Sequence, residues 1–220
     1  MNIYDILGPI MIGPSSSHTA GAVRIGLITR RLLGEEPVKA CIFLSGSFGA
    51  TGRGHGTDRA LAAGLLGMKP DDIRVPDSLS LAEEKGLQLA FEQVEIKGAH
   101  PNTARLLVTG QKGRRLEVQA SSLGGGRIGV DKLEGIPVSF TGEAPTLIVR
   151  NVDQPGCVAQ VTGLLAKKTI NISTLQLYRD RRGGQALMVV EADQNIPGEI
   201  LEQLEDLEGI QRVIYVNMEE

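Results

Sequence analysis

Tryptophan is absent from the 220 residues, aromatic residues make up 3%, cysteine occurs twice and histidine three times. With a net charge of −3 and so few rings, the chain offers neither a basic stripe nor a base-stacking platform, which excludes nucleic acid as a partner. No apolar run approaches the ~18 residues that span a bilayer. The N-terminus has no basic-then-apolar signal pattern, so a cytoplasmic protein without a membrane partner is expected. Cys41 and Cys157 stand far apart, which argues for a reducing compartment and no disulfide framework. Two thiols also fall short of the about four that an iron–sulfur cluster takes. The His-Glu-x-x-His and Cys-x-x-Cys patterns are missing, so no metal site is expected on this chain. The phosphate-loop pattern is missing too, and nucleotide hydrolysis has no support.

Glycine is in excess, at 28 of 220 residues, about 13% against a usual ~7%. The length suggests two modest domains. Ile12-Gly13-Pro14-Ser15-Ser16-Ser17-His18-Thr19-Ala20-Gly21 sets three hydroxyls and an imidazole at the start of a helix, whose apolar face runs through Ala20, Val23, Leu27, Ile28 and Leu32 to a stop at Gly34. Helix N-termini carry unpaired N–H groups and partial positive charge, so such a cluster suits a carboxylate or phosphate. Capping by Ser17 or Thr19 accounts for one hydroxyl but not for three with an imidazole.

All three histidines lie in Gly/Ser/Asn-rich stretches, which suggests convergence on one pocket. His55 stands between Gly54 and Gly56, where backbone can approach a ligand. His100-Pro101-Asn102-Thr103 reads equally as a ligand-facing motif or as a stiff X-Pro turn. Ser121-Ser122-Leu123-Gly124-Gly125-Gly126 is either an anion cradle or a connection between strands.

The remaining pattern predicts a strand over 38–44, a glycine loop over 46–56, a helix from Thr57 to near Gly67 and another over 79–93. A hairpin follows, pairing Leu106–Val108 with Leu116–Val118, then strands at 127–130 and 136–140. After Thr141–Pro145 the order is βαββαβ: strands at 147–149, 172–179, 185–191 and 211–216, helices at 156–168 and 198–207. An α+β arrangement with both helices on one face of an antiparallel sheet buries both apolar stripes.

That last order, with Asn151-Val152-Asp153-Gln154-Pro155-Gly156 between first strand and first helix, resembles the ACT domain. The stretches Gly13-Pro14-Ser15-Ser16-Ser17-His18-Thr19, Gly52-Arg53-Gly54-His55-Gly56-Thr57-Asp58 and His100-Pro101-Asn102-Thr103 resemble the beta-subunit family of iron–sulfur-dependent L-serine dehydratase. The resemblance implies an allosteric-substrate-binding-like α/β domain over 1–143 and a ferredoxin-like ACT domain over 147–220. It implies conversion of L-serine to pyruvate and ammonia by β-elimination, with a partner alpha subunit holding the 4Fe-4S cluster whose open iron position takes the substrate oxygen. The shortage of thiols here agrees with that division.

On this reading His18 and His55 are the catalytic candidates. Ser15, Ser16, Ser17, Thr19, His100, Asn102, Thr103, Gly124 and Gly125 are the substrate-binding candidates. Asp153, Pro155 and Gly156 would hold an allosteric ligand, or the ACT domain would serve self-association. The alternative is a non-catalytic amino-acid-binding regulatory subunit.

Overall fold

The computed structural model describes residues 10–218. The N-terminal residues on which the expectation about a signal pattern rests lie outside them. Contacts divide the chain into two compact units after Gly135, and the protein is α+β with an ACT domain in its C-terminal part.

The first unit is built on a sheet whose strands run in the order β2-β1-β3-β4-β5. They are β1 (Pro37–Gly46), β2 (Gln88–Val94), β3 (Asn102–Gly110), β4 (Arg115–Gly124) and β5 (Arg127–Leu133). Strands β1 and β2 pair in parallel with Cys41 beside Ala90, and the other neighbours are antiparallel. A parallel pair needs a crossover. Here it holds α2 (Ser47–His55), α3 (Thr57–Leu65) and α4 (Ser78–Glu84). Alternate residues Ala40, Ile42, Leu106, Val108, Val118 and Val130 are buried on the sheet's helix-facing side.

Helix α1 (Ala22–Leu33) lays Val23, Ile28 and Leu32 into the same core and ends at Gly34 in the left-handed conformation, φ 72°. Its crossing with α3 is backbone against backbone. A Cβ on Gly64 would stand 2.1 Å from the Val23 carbonyl oxygen, and one on Gly26 would stand 2.3 Å from that of Leu61.

The structure differs from the sequence expectation in two places here. The supposed glycine loop over 46–56 is the helix α2, and the supposed helix over 79–93 is the short α4 followed by strand β2. Gly86, at φ 73°, separates those two with a left-handed stop.

The second unit begins with β6 (Ile136–Phe140) and continues with β7 (Thr146–Val152), α5 (Cys157–Lys167), β8 (Ile172–Arg179), β9 (Gln185–Ala192), α6 (Gly198–Glu205) and β10 (Ile210–Val216). Its sheet is antiparallel in the order β10-β7-β9-β8. Leu147, Val149, Met188 and Val190 from the strands meet Val161, Leu165, Ile200 and Leu204 from the two helices in one core. Each such side chain contributes roughly 1.5–3 kcal/mol on burial.

The α1–α3 crossing yields a stability prediction. Gly64→Ala forces a methyl into the Val23 backbone and is expected to lower stability by about 1–3 kcal/mol in urea unfolding. Gly163→Ala in α5, where nothing lies within 4 Å of the added Cβ, is expected to hold or raise stability through helix propensity. Equal midpoints for Gly64→Ala and the parent would refute the tight crossing.

Candidate functional site

The hydroxyl-rich segment forms a π-helical turn, Ser16–Gly21, that runs directly into α1. Such wide turns are rare and recur at functional sites. Ser15, extended at φ −142°, caps the turn by accepting the His18 backbone N–H at 3.1 Å, and its Oγ lies 3.3 Å from Ser17 Oγ. Ser16 and Ser17 are half-buried, and Thr19 is buried with its hydroxyl donating to the His55 carbonyl at 3.5 Å.

Both ring nitrogens of His18 are engaged. Nδ1 is 3.2 Å from Ser17 Oγ, while Nε2 is 3.0 Å from Ser47 Oγ and 3.2 Å from Thr51 Oγ1. The Thr51 hydroxyl spends its one hydrogen on the Ser47 carbonyl at 2.9 Å. The contact from Thr51 Oγ1 to the ring therefore requires the hydrogen on His18 Nε2, and the Ser17 hydroxyl donates to Nδ1. Phe48 closes the ring's edge at 5.3 Å between centroids. Burial pushes the His18 pKa below its ordinary 6.5 and the neighbouring His55 pushes the same way, against a smaller upward effect of the backbone bond at Ser47.

His55 is the last residue of α2 and its ring lies 4.9 Å from that of His18, tilted by 38°. Its Nδ1 is 3.2 Å from the Thr51 carbonyl. A carbonyl can only accept, so Nδ1 carries a hydrogen, and in the neutral ring the lone pair is on Nε2. The His55 residue is exposed. A cavity of about 190 Å³ opens beside it, lined among others by Pro14, Thr19, Gly54, Arg59 and Val75. On the other side of Gly54 a larger cavity of about 500 Å³ carries Phe48, Asp58, Phe91 and Glu92.

Two of the three histidines thus meet, and the third does not join them by any hydrogen bond or ring contact among the described residues. His100 is exposed and its Nδ1 accepts the backbone N–H of Asn102 at 3.1 Å. What its loop gives the site is support: the Pro101 carbonyl accepts the Ser47 N–H at 2.7 Å, fixing the first turn of α2. Asn102 pairs with Gly46 across the strands. Buried Thr103 donates to the His100 carbonyl at 2.6 Å and lies 2.8 Å from Ser121 Oγ, which in turn donates to Asp131.

Ser121 and Ser122 are buried within β4 and form no cradle with the glycines that follow. Gly124 and Gly125 make the β4–β5 turn at φ 88° and 61°, with no hydrogen bond to the imidazole pair. Ser122 nonetheless bears on the site, because a Cβ on Gly21 would stand 2.1 Å from its Oγ. The π-turn therefore lies against β4 only as glycine.

In the second unit Asp153 accepts the Gly183 N–H at 2.9 Å and Arg179 Nη1 at 3.1 Å. The Gly183 bond, more than the Arg179 and Arg182 charges, holds its carboxyl below the usual range. That carboxylate pins the β7–α5 loop to the β8–β9 hairpin. Pro155 and Gly156 are exposed at the entry to α5, with Gly156 at φ 101°.

The sequence reading missed Ser47, Phe48 and Thr51, which complete the surroundings of His18, and Arg59, which lines the cavity beside His55. The available signal was spacing: Ser47, Thr51 and His55 are four residues apart and share one helix face.

Residues 2–85 match the family described as Serine dehydratase beta chain, and residues 145–209 match the ACT domain. The chain is 42% identical over 212 residues to the probable L-serine dehydratase beta chain of Bacillus subtilis, covering 96% of each. It is 33% identical over 216 residues to the L-serine dehydratase beta chain of Peptoniphilus asaccharolyticus, covering 98% of this chain and 97% of that one. A shorter stretch of 87 residues is 30% identical to D-3-phosphoglycerate dehydrogenase of Methanocaldococcus jannaschii, covering 40% of this chain and 17% of that protein.

The lowered His18 pKa has a consequence for stability. Between that pKa and 6.5 the unfolded chain takes up a proton that the folded chain refuses, so stability is full above the window and falls as the pH drops through it. His18→Gln is expected to flatten this dependence when urea unfolding is compared at about pH 7.5 and about pH 5. An unchanged acid-side slope in the variant would assign the proton uptake to another group.

Proposed function

The chain belongs to the L-serine dehydratase beta-chain family, and from that premise we propose that it works with an alpha chain to convert L-serine to pyruvate and ammonia. The observation that carries this reading is the imidazole pair, one ring locked into a hydroxyl network and the other presenting an unengaged lone pair beside a cavity.

In this mechanism His55 Nε2 takes the α-proton, a step for which a positioned imidazole is suited near neutral pH. Loss of that proton and of the β-hydroxyl leaves 2-aminoacrylate, the departing hydroxide and the proton taken from the α-carbon together making water; the enamine tautomerises to the imine and hydrolyses to pyruvate and ammonia. His18 orients α2, and with it His55, beside the substrate. Ser17, Ser47 and Thr51 hold His18, so their contribution is through its ring.

The donors of this chain do not fit a 4Fe-4S cluster. Cys41 is half-buried on β1, Cys157 is buried at the start of α5, and among the described residues no three His, Cys, Asp or Glu side chains converge. We therefore place the cluster on the alpha chain. No helix among the described residues is long and apolar enough to cross a membrane, and two free thiols suit a reducing cytoplasm. Self-association is assigned to the ACT sheet, where β8 and β10 are the edge strands.

Co-purification with the alpha chain tests the reading. Pyruvate is expected from L-serine only with both chains, with iron and sulfide absent from this chain purified alone. His55→Gln in the complex is expected to lower kcat by about 10²–10⁴-fold without loosening the assembly. Full turnover in His55→Gln would remove the imidazole from proton transfer.

A further inference from the structure

The cavity beside His55 has a charge arrangement that neither the hydroxyl motif nor the imidazole pair explains. Arg59 is the one cation among the described side chains lining it. Its residue is exposed, and its side chain makes no hydrogen bond or ion pair among the described residues. It also sits in the first turn of α3, with Gly56 as the preceding cap residue and no side-chain cap. Helix N-termini are positively polarised, so a cation there is electrostatically misplaced unless an anion joins it. Asp58, its neighbour, does not neutralise it: the Asp58 carboxylate accepts the Arg59 backbone N–H at 2.9 Å and lines the other cavity together with Glu92. Among the described side chains, the two sides of Gly54, which lines both cavities, thus differ in sign. The hydroxyls of Ser15, Ser17, Ser47 and Thr51 bond to one another, to His18 or to backbone, and none of them supplies a positive charge.

We propose that Arg59 anchors the carboxylate of the amino-acid substrate at the mouth of the cavity beside His55. A guanidinium offers two parallel donors that match the two carboxylate oxygens. Held by that end, the substrate's α-carbon is one bond from the anchored group, which brings the α-proton within the neighbourhood of the exposed imidazole. Ile12, Pro14, Val75 and Pro76 line the rest of the cavity, which leaves Arg59 as its charged group among the described residues. This assignment rests on the dehydratase reading for the identity of the substrate, but the anion site itself is a property of this chain.

Two measurements separate the proposal from that reading. In the two-chain complex, Arg59→Gln is expected to raise the KM for L-serine by about ten- to a hundredfold, the range of a lost charge-assisted contact. The kcat is expected to change little, because binding common to ground and transition states is removed. Arg59→Lys is expected to recover part of the affinity as a point charge. L-serinamide, which keeps the amine and hydroxyl but has no carboxylate, is expected to behave alike with parent and variant. On the full chain alone, acetate and L-serine are each expected to shift the His55 ring resonances in NMR titration, and Arg59→Gln to abolish the shift. An unchanged KM, an equal loss for L-serinamide, or an acetate response that survives in Arg59→Gln each overturns the proposal. A complex inert toward serine whose free chain still shows the Arg59-dependent acetate response would overturn the dehydratase reading and leave the carboxylate anchor standing.

Discussion

The candidate site depends on one clamp: the His18 ring, held from the π-turn by Ser17 and gripped on its far nitrogen by Ser47 and Thr51 of α2. Helix α2 is weak by composition, since Gly49, Gly52 and Gly54 each lower helix propensity by about 1 kcal/mol relative to alanine. Nine residues of such sequence do not hold a helix alone. Tertiary contacts hold it instead. The Pro101 carbonyl secures its first turn, Phe48 is fully buried beneath it, and His18 bridges its exposed face. A single imidazole therefore joins the two segments and also positions His55 four residues beyond Thr51.

That weakness explains why the stretch over 46–56 is legible only in part. Five glycines in eleven residues point to a loop by every local rule. Tertiary packing overrides the rule because two of those glycines serve close approach. A Cβ on Gly49 would meet Gln93 at 2.7 Å and the Leu44 carbonyl oxygen at 3.0 Å, and one on Gly46 would stand 2.5 Å from the Pro101 carbonyl oxygen. Gly49, one of the glycines that weaken the helix, is also what lets it approach Leu44 of β1 and Gln93 of β2. The stretch over 79–93 differs for another reason: one apolar pattern runs through both the short helix and the strand, and the left-handed backbone at Gly86 is what separates them. The ACT portion is read more faithfully. Its continuous apolar runs, the Arg181–Gly184 turn and Pro197 mark each boundary to within a few residues of the observed elements.

Polar motifs carry the site's chemistry and its architecture in the same residues, and residue type alone does not separate the two. Ser15 is a cap, Thr103 and Ser121 form a buried hydroxyl chain beneath the sheet, and His100 turns back on its own loop. By composition each is a binding candidate. What distinguishes His55 is hydrogen-bond arithmetic that only coordinates supply: one nitrogen committed to a carbonyl, the other left with a lone pair.

The same arithmetic bears on how much of an active centre one chain can hold. The hydroxyls and His18 satisfy one another, so adding a substrate to that network would break bonds already made, at a cost comparable to those formed. Groups free to act on a ligand are those with unspent capacity, and among the described residues lining the cavity these are His55 Nε2 and the guanidinium of Arg59. A base and a cation suffice to hold an amino acid and deprotonate it, but expulsion of a hydroxyl also needs an acid on the leaving oxygen. No such group with unspent capacity faces the cavity from the described residues of this chain. On the proposed dehydratase reading, that acid is supplied by the alpha chain.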